Sequence, residues 1–199
     1  LLGIFTHYPN ANNVDNTFEN KFKNLYNNLK KMHPDIVGHQ FNSHKFINNL
    51  TNIKYDMIRI GNLQYGMSFV KDIDLKPVLL WEVDYLNIRN ISLNQSIGYS
   101  SLFKPSAETP VLIIPIGYYN GYPIIENSCQ YVMVNNVKSK VIGKVSMNMI
   151  HVDITNINLP IKTIYLLGNG LYIDDIKSKY YHNGFILLNI VRNNKIELG

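Results

Sequence analysis

The chain has 199 residues, of which 46% are hydrophobic and 12% aromatic, a composition typical of a folded globular protein. Its formal net charge of +5 is spread along the sequence rather than gathered into a basic run, so we expect no nucleic-acid partner. No apolar run approaches the roughly 20 residues that cross a bilayer, so we expect no membrane segment. The single cysteine, Cys129, cannot form an internal disulfide, which fits a cytoplasmic location.

The first region alternates strand and helix patterns. An apolar run at residues 1–6 predicts a strand, and a helical repeat that begins near Asp15 or Asn16 and ends at Pro34 predicts an amphipathic helix. The apolar positions of that helix, expected to form a buried stripe, are Phe18, Phe22, Leu25, Leu29 and Met32. A strand at 35–38, a shorter helix at 41–50 and a strand at 55–60 should follow. This order predicts right-handed crossover units on a parallel sheet.

Beyond residues 72–77 the pattern changes to short strands separated by turn residues. The predicted strands are Val78–Ile88, Val111–Ile116, Tyr131–Val134, Lys138–Ile142, Ile150–Ile154 and Thr163–Leu167. Asn135 and Asn136 predict a tight hairpin turn. This region should therefore be a mostly antiparallel β domain, with one weak helix at Asp174–Tyr181 and no clear pattern in the last ten residues.

Polar or glycine residues follow three of the predicted strands, at His7, at Asn42 and Ser43, and at Arg59 and Gly61. In a parallel barrel, the groups that carry chemistry lie just past the carboxyl ends of the strands. On spacing alone, polar residues satisfied at a barrel rim are the favoured interpretation. The glycine- and tyrosine-rich segments of the second region favour packing over catalysis on the same grounds.

Six ordered segments together resemble the alanine racemases. They are 3–8 (GIFTHY), 42–43 (NS), 55–61 with 65–66 (YDMIRIG and YG), 98–99 (GY), 115–118 with 121–123 (PIGY and GYP), and 142–147 (IGKVSM). The resemblance implies an α/β plus β fold. Residues 1–73 would be the last strands and helices of a (β/α)8 barrel that binds pyridoxal 5'-phosphate, and residues 74–199 the family's C-terminal β domain.

The resemblance also implies catalytic residues. Tyr99 matches the family's catalytic tyrosine, the base that exchanges the α-proton on one face of the substrate. The phenol of a free tyrosine ionises near pH ~10, so this base needs neighbours that stabilise the phenolate. His7 matches an active-site histidine that supplies one such neighbour. The family's tyrosine reaches into the barrel of a second subunit, so the resemblance implies a homodimer in the intact enzyme.

Further positions match cofactor and substrate contacts. Arg59 matches the arginine that faces the pyridine nitrogen of the cofactor. The phosphate cup is matched by Asn42, Ser43, Gly61 and the backbone of Asn62. Tyr118 and Met147 match residues at the substrate entrance and pocket wall. No metal ion is implied.

The resemblance has gaps. Nothing in the chain resembles the segment that carries the Schiff-base lysine, so we expect this chain to be a fragment that is inactive alone. Asn120 and Asn148 stand where the family usually has aspartate, and Ile60 where it commonly has proline. The predicted function is racemisation of alanine, which supplies D-alanine for cell-wall precursors. The alternatives are a non-catalytic protein that keeps the fold for cofactor binding or dimerisation, and a racemase for another small amino acid such as serine.

Overall fold

The computed structural model describes residues 1–7, 16–47, 55–67, 73–124, 130–176, 183–195 and 197. The chain separates into two compact units, Leu1–Lys76 and Pro77–Gly199. The first unit contains helices and parallel strands, and the second is a mostly antiparallel β structure. The predicted fold class is therefore confirmed. Cys129 and Tyr8 lie outside the described residues.

The first unit contains a β-α-β crossover. Strand β1 (Gly3–Phe5) leads through helix α1 (Asn16–Met32) to strand β2 (Val37–His39), which pairs with β1 in parallel. Helix α2 (Ser43–Ile47) follows, and His39 then forms a parallel bridge with Met57. Three successive parallel segments joined in this way are the arrangement of part of a (β/α)8 barrel.

The prediction of a strand at 55–60 was wrong in extent, because only Met57 pairs with β2. The carboxylate of Asp56 accepts the N–H of Gly38 at 2.8 Å, taking a donor that a longer ladder would give to a backbone carbonyl. The carbonyl of Gly38 accepts the N–H groups of both Asp56 and Met57. The second helix begins at Ser43 and not at position 41, and positions 48–50 of the prediction lie outside the described residues.

Helix α1 forms where predicted, but the predicted buried stripe was wrong in part. Phe22 is buried, whereas Phe18, Leu25 and Met32 are exposed. These three exposed residues are seven positions apart and share one line of the helix surface. The neighbouring line carries Phe22 and Tyr26, whose rings pack edge-on against Tyr55 at centroid distances of 5.3 and 5.5 Å. The packing face is thus rotated from the predicted stripe.

The second unit is built on one seven-stranded sheet. Its strands are β3 (Trp81–Glu82), β4 (Asn87–Ile91), β5 (Thr109–Ile114), β6 (Tyr131–Val134), β7 (Val137–Ile142), β8 (Ile150–Asp153) and β9 (Ile164–Leu167). The spatial order is β3-β9-β6-β7-β8-β5-β4, with antiparallel pairing. Asn135 and Asn136 form the predicted β6–β7 turn in left-handed conformations, with φ values of 48° and 64°.

The single strand predicted at 78–88 was wrong, because the chain forms two strands at opposite edges of the sheet. A flat sheet would separate these edges by six spacings of about 4.8 Å, roughly 29 Å. The five residue steps from Glu82 to Asn87 reach at most about 18 Å. The sheet must therefore curl until its edges approach each other.

Aliphatic side chains fill the inside of this curled sheet. Leu112 of β5 lies opposite Val152 of β8, which in turn lies opposite Val141 of β7, and all three are buried. This row belongs to a larger buried set that includes Ile114, Val132, Val134, Ile150 and Ile164. Burial of such a continuous apolar set is the main source of folding stability for a domain of this size.

The chain's C-terminal helix was not predicted. Helix α3 (Asn183–Asn193) buries Ile186 and Ile190, one helical turn apart. The helix predicted at 174–181 is a short 3-10 turn at Ile173–Asp175 in its described part, and positions 177–182 lie outside it. Within the described ranges, no helix is both long enough and apolar enough to cross a membrane.

Candidate active site

Arg59 donates hydrogen bonds to backbone carbonyls at the carboxyl ends of the parallel segments in the first unit. Its backbone N–H donates to the carbonyl of Phe41 at 3.0 Å. One end of the guanidinium, Nη2, donates to the carbonyl of Thr6 at 2.7 Å, and Nη1 lies 3.3 Å from the carbonyl of His39. The cation is thus held by groups that follow β1 and end β2.

His39 is the closest side-chain partner of Arg59. Nη1 of Arg59 lies 2.6 Å from Nδ1 of His39. An arginine is always a donor, so Nδ1 must accept and the imidazole proton must sit on Nε2. Burial, and then the positive charge of Arg59, lower the pKa of His39 from its ordinary value. The imidazole that accepts a hydrogen bond from the guanidinium is therefore neutral.

An aromatic ring completes this arrangement. Phe5 stacks on His39 with a centroid distance of 5.3 Å and an interplanar angle of 11°, and its ring lies 5.4 Å from the guanidinium carbon of Arg59. Our sequence analysis missed His39 as a site residue. The available signal was its place at the carboxyl end of a strand, where barrel enzymes carry their chemistry.

Ser43 and Gly61 are in contact and form a small polar cup. Gly61 lies two residues after Arg59 in the sequence. The N–H of Gly61 donates to Oγ of Ser43 at 2.9 Å. A Cβ added to Gly61 would meet only Ser43 Oγ within 4 Å, so the space next to this glycine is open. A backbone N–H and a hydroxyl beside an open space suit a bound anion.

The residues on either side of this cup support its backbone. Asn42 accepts the N–H of Phe46 at its carbonyl, which starts α2 directly behind Ser43. Asn62 starts the 3-10 turn Asn62–Tyr65, and its carbonyl accepts the N–H of Met67. Both predicted residues therefore adjoin the cup and support it through their backbone carbonyls.

The donor set in the first unit fits pyridoxal 5'-phosphate. The cup offers a hydroxyl and an N–H for a phosphate, and Arg59 offers fixed N–H donors for a pyridine nitrogen. The Asp56 carboxylate does not neutralise the charge of Arg59. It accepts hydrogen bonds from Gly38 and Tyr26 and forms an ion pair with Lys30. His7 is exposed and directly follows Thr6, whose carbonyl accepts from Arg59. Among the described residues, no cluster of His, Cys, Asp and Glu could hold a metal ion.

Tyr99 lies at the tip of a strained turn in the second unit. Ile97 and Phe103 pair across the base of this turn, and Tyr99 is 68% exposed. Gly98, Ser100 and Ser101 have left-handed φ values of 78°, 63° and 50°. Left-handed geometry at each serine costs about 1–2 kcal/mol, and such strain is concentrated at functional sites.

Tyr118 and Met147 are brought together by backbone hydrogen bonds. The N–H of Tyr118 donates to the carbonyl of Ser146, and the N–H of Tyr119 donates to the carbonyl of Met147. A Cβ on Gly117 would lie only 2.2 Å from the Ser146 oxygen, so only glycine permits this approach. The side chains of Tyr118 and Met147 are both about half exposed.

The turn that carries Tyr99 rests on the same supporting segment, Gly143–Met147. A Cβ on Gly98 would lie 3.0 Å from the backbone nitrogen of Lys144, and one on Gly143 would lie 3.1 Å from the carbonyl oxygen of Ile97. The three predicted residues of the second unit therefore all depend on this segment for their position.

Asn120 has a structural role that its side-chain amide serves well. Its Oδ1 accepts the N–H of Gly117 at 3.1 Å, and its carbonyl accepts Nδ2 of Asn194 at 2.7 Å. The first contact needs only an acceptor, which an asparagine supplies as an aspartate does. An asparagine at position 120 therefore keeps the turn that precedes Gly121 intact.

Comparisons with known proteins point to one family. The family model described as alanine racemase, C-terminal domain, matches residues 78–191. The chain is 32% identical to the alanine racemase of Borreliella burgdorferi (strain ZS7) over 88% of this chain and 50% of that protein. It is 27% identical to the broad specificity amino-acid racemase of Vibrio parahaemolyticus, covering 85% of this chain and 42% of that protein. The chain thus spans about half the length of the curated relatives it matches.

Solved structures agree. The alanine racemase of Acinetobacter baumannii superposes with a TM-score of 0.72 and 28% identity, covering 87% of this chain and 50% of that one. The alanine racemase of Bartonella henselae with covalently bound pyridoxal phosphate gives a TM-score of 0.76 at 22% identity, covering 94% of this chain and 54% of that one. The latter comparison supports the fold.

Proposed function

Because the chain belongs to the alanine racemase family, we propose that it forms the second half of an amino-acid racemase that interconverts L- and D-alanine with pyridoxal 5'-phosphate. Residues 1–73 would complete the cofactor-binding barrel, and residues 74–199 would form the C-terminal domain. We further propose that the reaction takes place in the cytoplasm and supplies D-alanine for cell-wall precursors.

The observation that carries this proposal is the fixed position of Arg59. Its guanidinium is held at once by the Thr6 carbonyl and His39, at the carboxyl ends of neighbouring parallel segments. The cofactor, when bound, withdraws electrons from the carbon that loses its proton. Arg59 cannot give up a proton at working pH, so it would leave the pyridine nitrogen unprotonated and weaken that withdrawal. A weak electron sink favours racemisation over competing reactions.

Ser43 and Gly61 would hold the phosphate group. The Ser43 hydroxyl and the Gly61 N–H currently bond each other at 2.9 Å, and both could turn to an anion without leaving an unpaired group. Asn42 and Asn62 flank this pair and would set its backbone geometry. This part of the site orients the cofactor and takes no part in proton transfer.

Tyr99 would hold and move the α-proton on one face of the substrate. Its exposure and its place on a strained turn support this role, because a phenol that serves another subunit must project from its own domain. We propose that it enters the barrel of the partner in a homodimer, near His7. Tyr118 and Met147 would line the entrance beside it. The second base and the covalent anchor would be a lysine from barrel residues that this chain does not contain.

A chimera tests this proposal. The matching half of the Borreliella burgdorferi relative is replaced by this chain, and the purified protein is assayed for cofactor absorbance and for D-alanine formed from L-alanine. We expect both, and we expect Arg59→Gln to reduce racemisation strongly. A chimera that binds the cofactor but forms no D-alanine would contradict catalysis and favour a non-catalytic cofactor-binding or dimerisation protein.

The same chimera tests substrate choice. The Vibrio relative is named a broad specificity amino-acid racemase, so the alternative substrate of this chain is another small amino acid such as serine. Comparing kcat/KM for L-alanine and L-serine measures the preference. A serine value equal to or above the alanine value would replace alanine as the proposed substrate.

A further inference from the structure

A partly open cavity of about 180 Å³ lies beneath the turn that carries Tyr99 and shares Ile97 and Gly98 with that turn. It lies entirely within the second unit. Four aliphatic side chains, Ile91, Ile97, Val111 and Ile113, form its apolar wall. Its polar lining comes from Arg89, Ser96 and His151, with Gly98 at the edge.

The sheet register explains how these residues share one face. Arg89 of β4 lies opposite Val111 of β5, and Ile113 of β5 lies opposite His151 of β8. Residues directly opposite one another in antiparallel strands project to the same side. The segment from Ser96 to Gly98 covers part of this side, and the space remains partly open to solvent.

One buried polar atom of the lining residues lacks a partner. Nδ1 of His151 is buried and makes no hydrogen bond within the described part of the chain. Such a group costs free energy unless something pairs with it. Arg89 is exposed, and among the described residues its side chain forms no ion pair. Asp153 shares its face but is turned to Thr155, whose N–H and hydroxyl donate to Asp153 Oδ1 at 2.9 and 2.6 Å.

The size and chemistry of the space restrict the ligand. An apolar protein cavity of roughly 150 Å³ holds a benzene molecule, so this one suits a ligand of about six heavy atoms. Arg89 supplies a positive charge and paired N–H donors, which match a carboxylate. Burial lowers the pKa of His151, so the imidazole is neutral and can donate one N–H from Nδ1. The aliphatic wall suits a short carbon chain.

We propose that this cavity binds a small aliphatic carboxylate, with the carboxylate between Arg89 and His151 and its carbon chain against Ile97 and Val111. The site does not depend on the proposed racemase chemistry. Its occupant would pack under Ile97 and Gly98, which precede Tyr99, while the Ser96 hydroxyl, which donates to Ser101 Oγ at 2.9 Å, closes the turn above. Binding should therefore stiffen the Tyr99 turn.

Titration of the 199-residue chain with propionate, followed by two-dimensional amide NMR at constant ionic strength, tests the site. We expect saturable shifts of the Ser96, Gly98 and His151 amides. The n-propylammonium ion is similar in size and opposite in charge, and it should produce no saturable shift. Titration with L- and D-alanine distinguishes two sources of the carboxylate, since tighter binding than propionate would identify an amino acid.

Two variants and a control complete the test. Arg89→Gln should weaken propionate binding about tenfold or more, because it removes a charge-assisted contact. Lys140→Gln removes another exposed cation, on β7 three strands away from β4, and should leave binding unchanged. His151→Phe fills the cavity from the opposite wall and should abolish binding, with folding checked by circular dichroism. Unchanged affinity in Arg89→Gln, or equal shifts from chloride alone, would overturn the proposal.

Discussion

The two units differ in how much of their own structure they complete. In the second unit, seven strands pair in one sheet and enclose a continuous aliphatic core. In the described part of the first unit, two three-residue strands and one bridge make up the sheet. Phe5 of β1 is 67% exposed, and Leu2, just before this strand, is 91% exposed. The second unit has the features of an autonomous domain, whereas the first exposes the surface that further barrel strands would cover.

The candidate site residues of the two units also differ in how they are held in position. Arg59 and His39 are fixed by polar contacts among strand ends, so their geometry depends on neighbouring strands. Tyr99, Tyr118 and Met147 are fixed by close backbone contacts onto one segment of a complete sheet. The second unit therefore holds its candidate residues on a complete sheet, whereas those of the first unit would depend on the further barrel strands that we propose.

The largest expected difference between the two units is in the rate of amide hydrogen exchange. We expect the amides of β5 and β8 to exchange only on global unfolding, and the amide of Phe5 in β1 to exchange through local opening at least about a thousandfold faster. Exchange followed by NMR on the whole chain measures both. Equal protection in the two units would break the comparison.

Core truncation should show the same contrast in free energy. Leu112→Ala in the second unit should lower the free energy of unfolding by about 2–5 kcal/mol, because it opens a cavity among fully buried side chains. Leu2→Ala should change it by no more than about 0.5 kcal/mol. Urea unfolding followed by Trp81 fluorescence measures both variants. A large cost for Leu2→Ala would show that the first unit contributes to the same core.

Much of the second unit was predictable because its strands alternate buried and exposed residues. Strand β6 and the Asn135-Asn136 turn were predicted at their observed positions, since left-handed asparagines mark such a turn locally. The division of 78–88 into two strands was not predictable in this way. It depends on the closure of the sheet, which brings distant strands to each edge and leaves no mark in the local pattern.

The candidate site likewise contains residues that could be predicted from the sequence and residues that could not. The resemblance to a family pointed to Arg59, Ser43 and Tyr99, but not to His39, whose importance depends on a contact across 20 residues of sequence. The left-handed conformations of Ser100 and Ser101 were also beyond prediction, because serine is not a signal for that geometry. Both features arise from tertiary packing around residues that the sequence already identified.

Glycine substitutions sharpen the comparison within the second unit. Gly117→Ala should lower the free energy of unfolding by about 1–3 kcal/mol, because its Cβ would collide with backbone oxygens of Ser146 and Met147. Gly170→Ala is the matched control, since its Cβ meets no atom within 4 Å and only its φ of 89° is unfavourable, costing roughly 1 kcal/mol. Thermal unfolding compares them. A smaller loss at position 117 would remove the argument that contact fixes Tyr118.

The smallest effect should be a pH titration confined to the first unit. The Gly38 N–H, followed by the Tyr26 hydroxyl and Lys30, holds the pKa of Asp56 below its ordinary value. Since the folded-state pKa is lowered, this contact stabilises the fold above the ordinary carboxyl pKa of about 3.9 and is lost as the pH falls below it. The Gly38 amide resonance should titrate with a midpoint under that value, and Asp56→Asn should abolish the titration. A midpoint at or above it would be contrary to the observed hydrogen bonds.

The central claim is that Tyr99 moves the α-proton on one face of the substrate, and deuterium incorporation tests it most directly. The chimera described above and its Tyr99→Phe variant are incubated in D2O with L- or D-alanine, and exchange at the α-carbon is followed by NMR. We predict that the variant loses racemisation by about 10²–10⁴-fold and still exchanges the α-proton of one enantiomer only. Undiminished racemisation, or equal exchange from both enantiomers in the variant, would contradict the account.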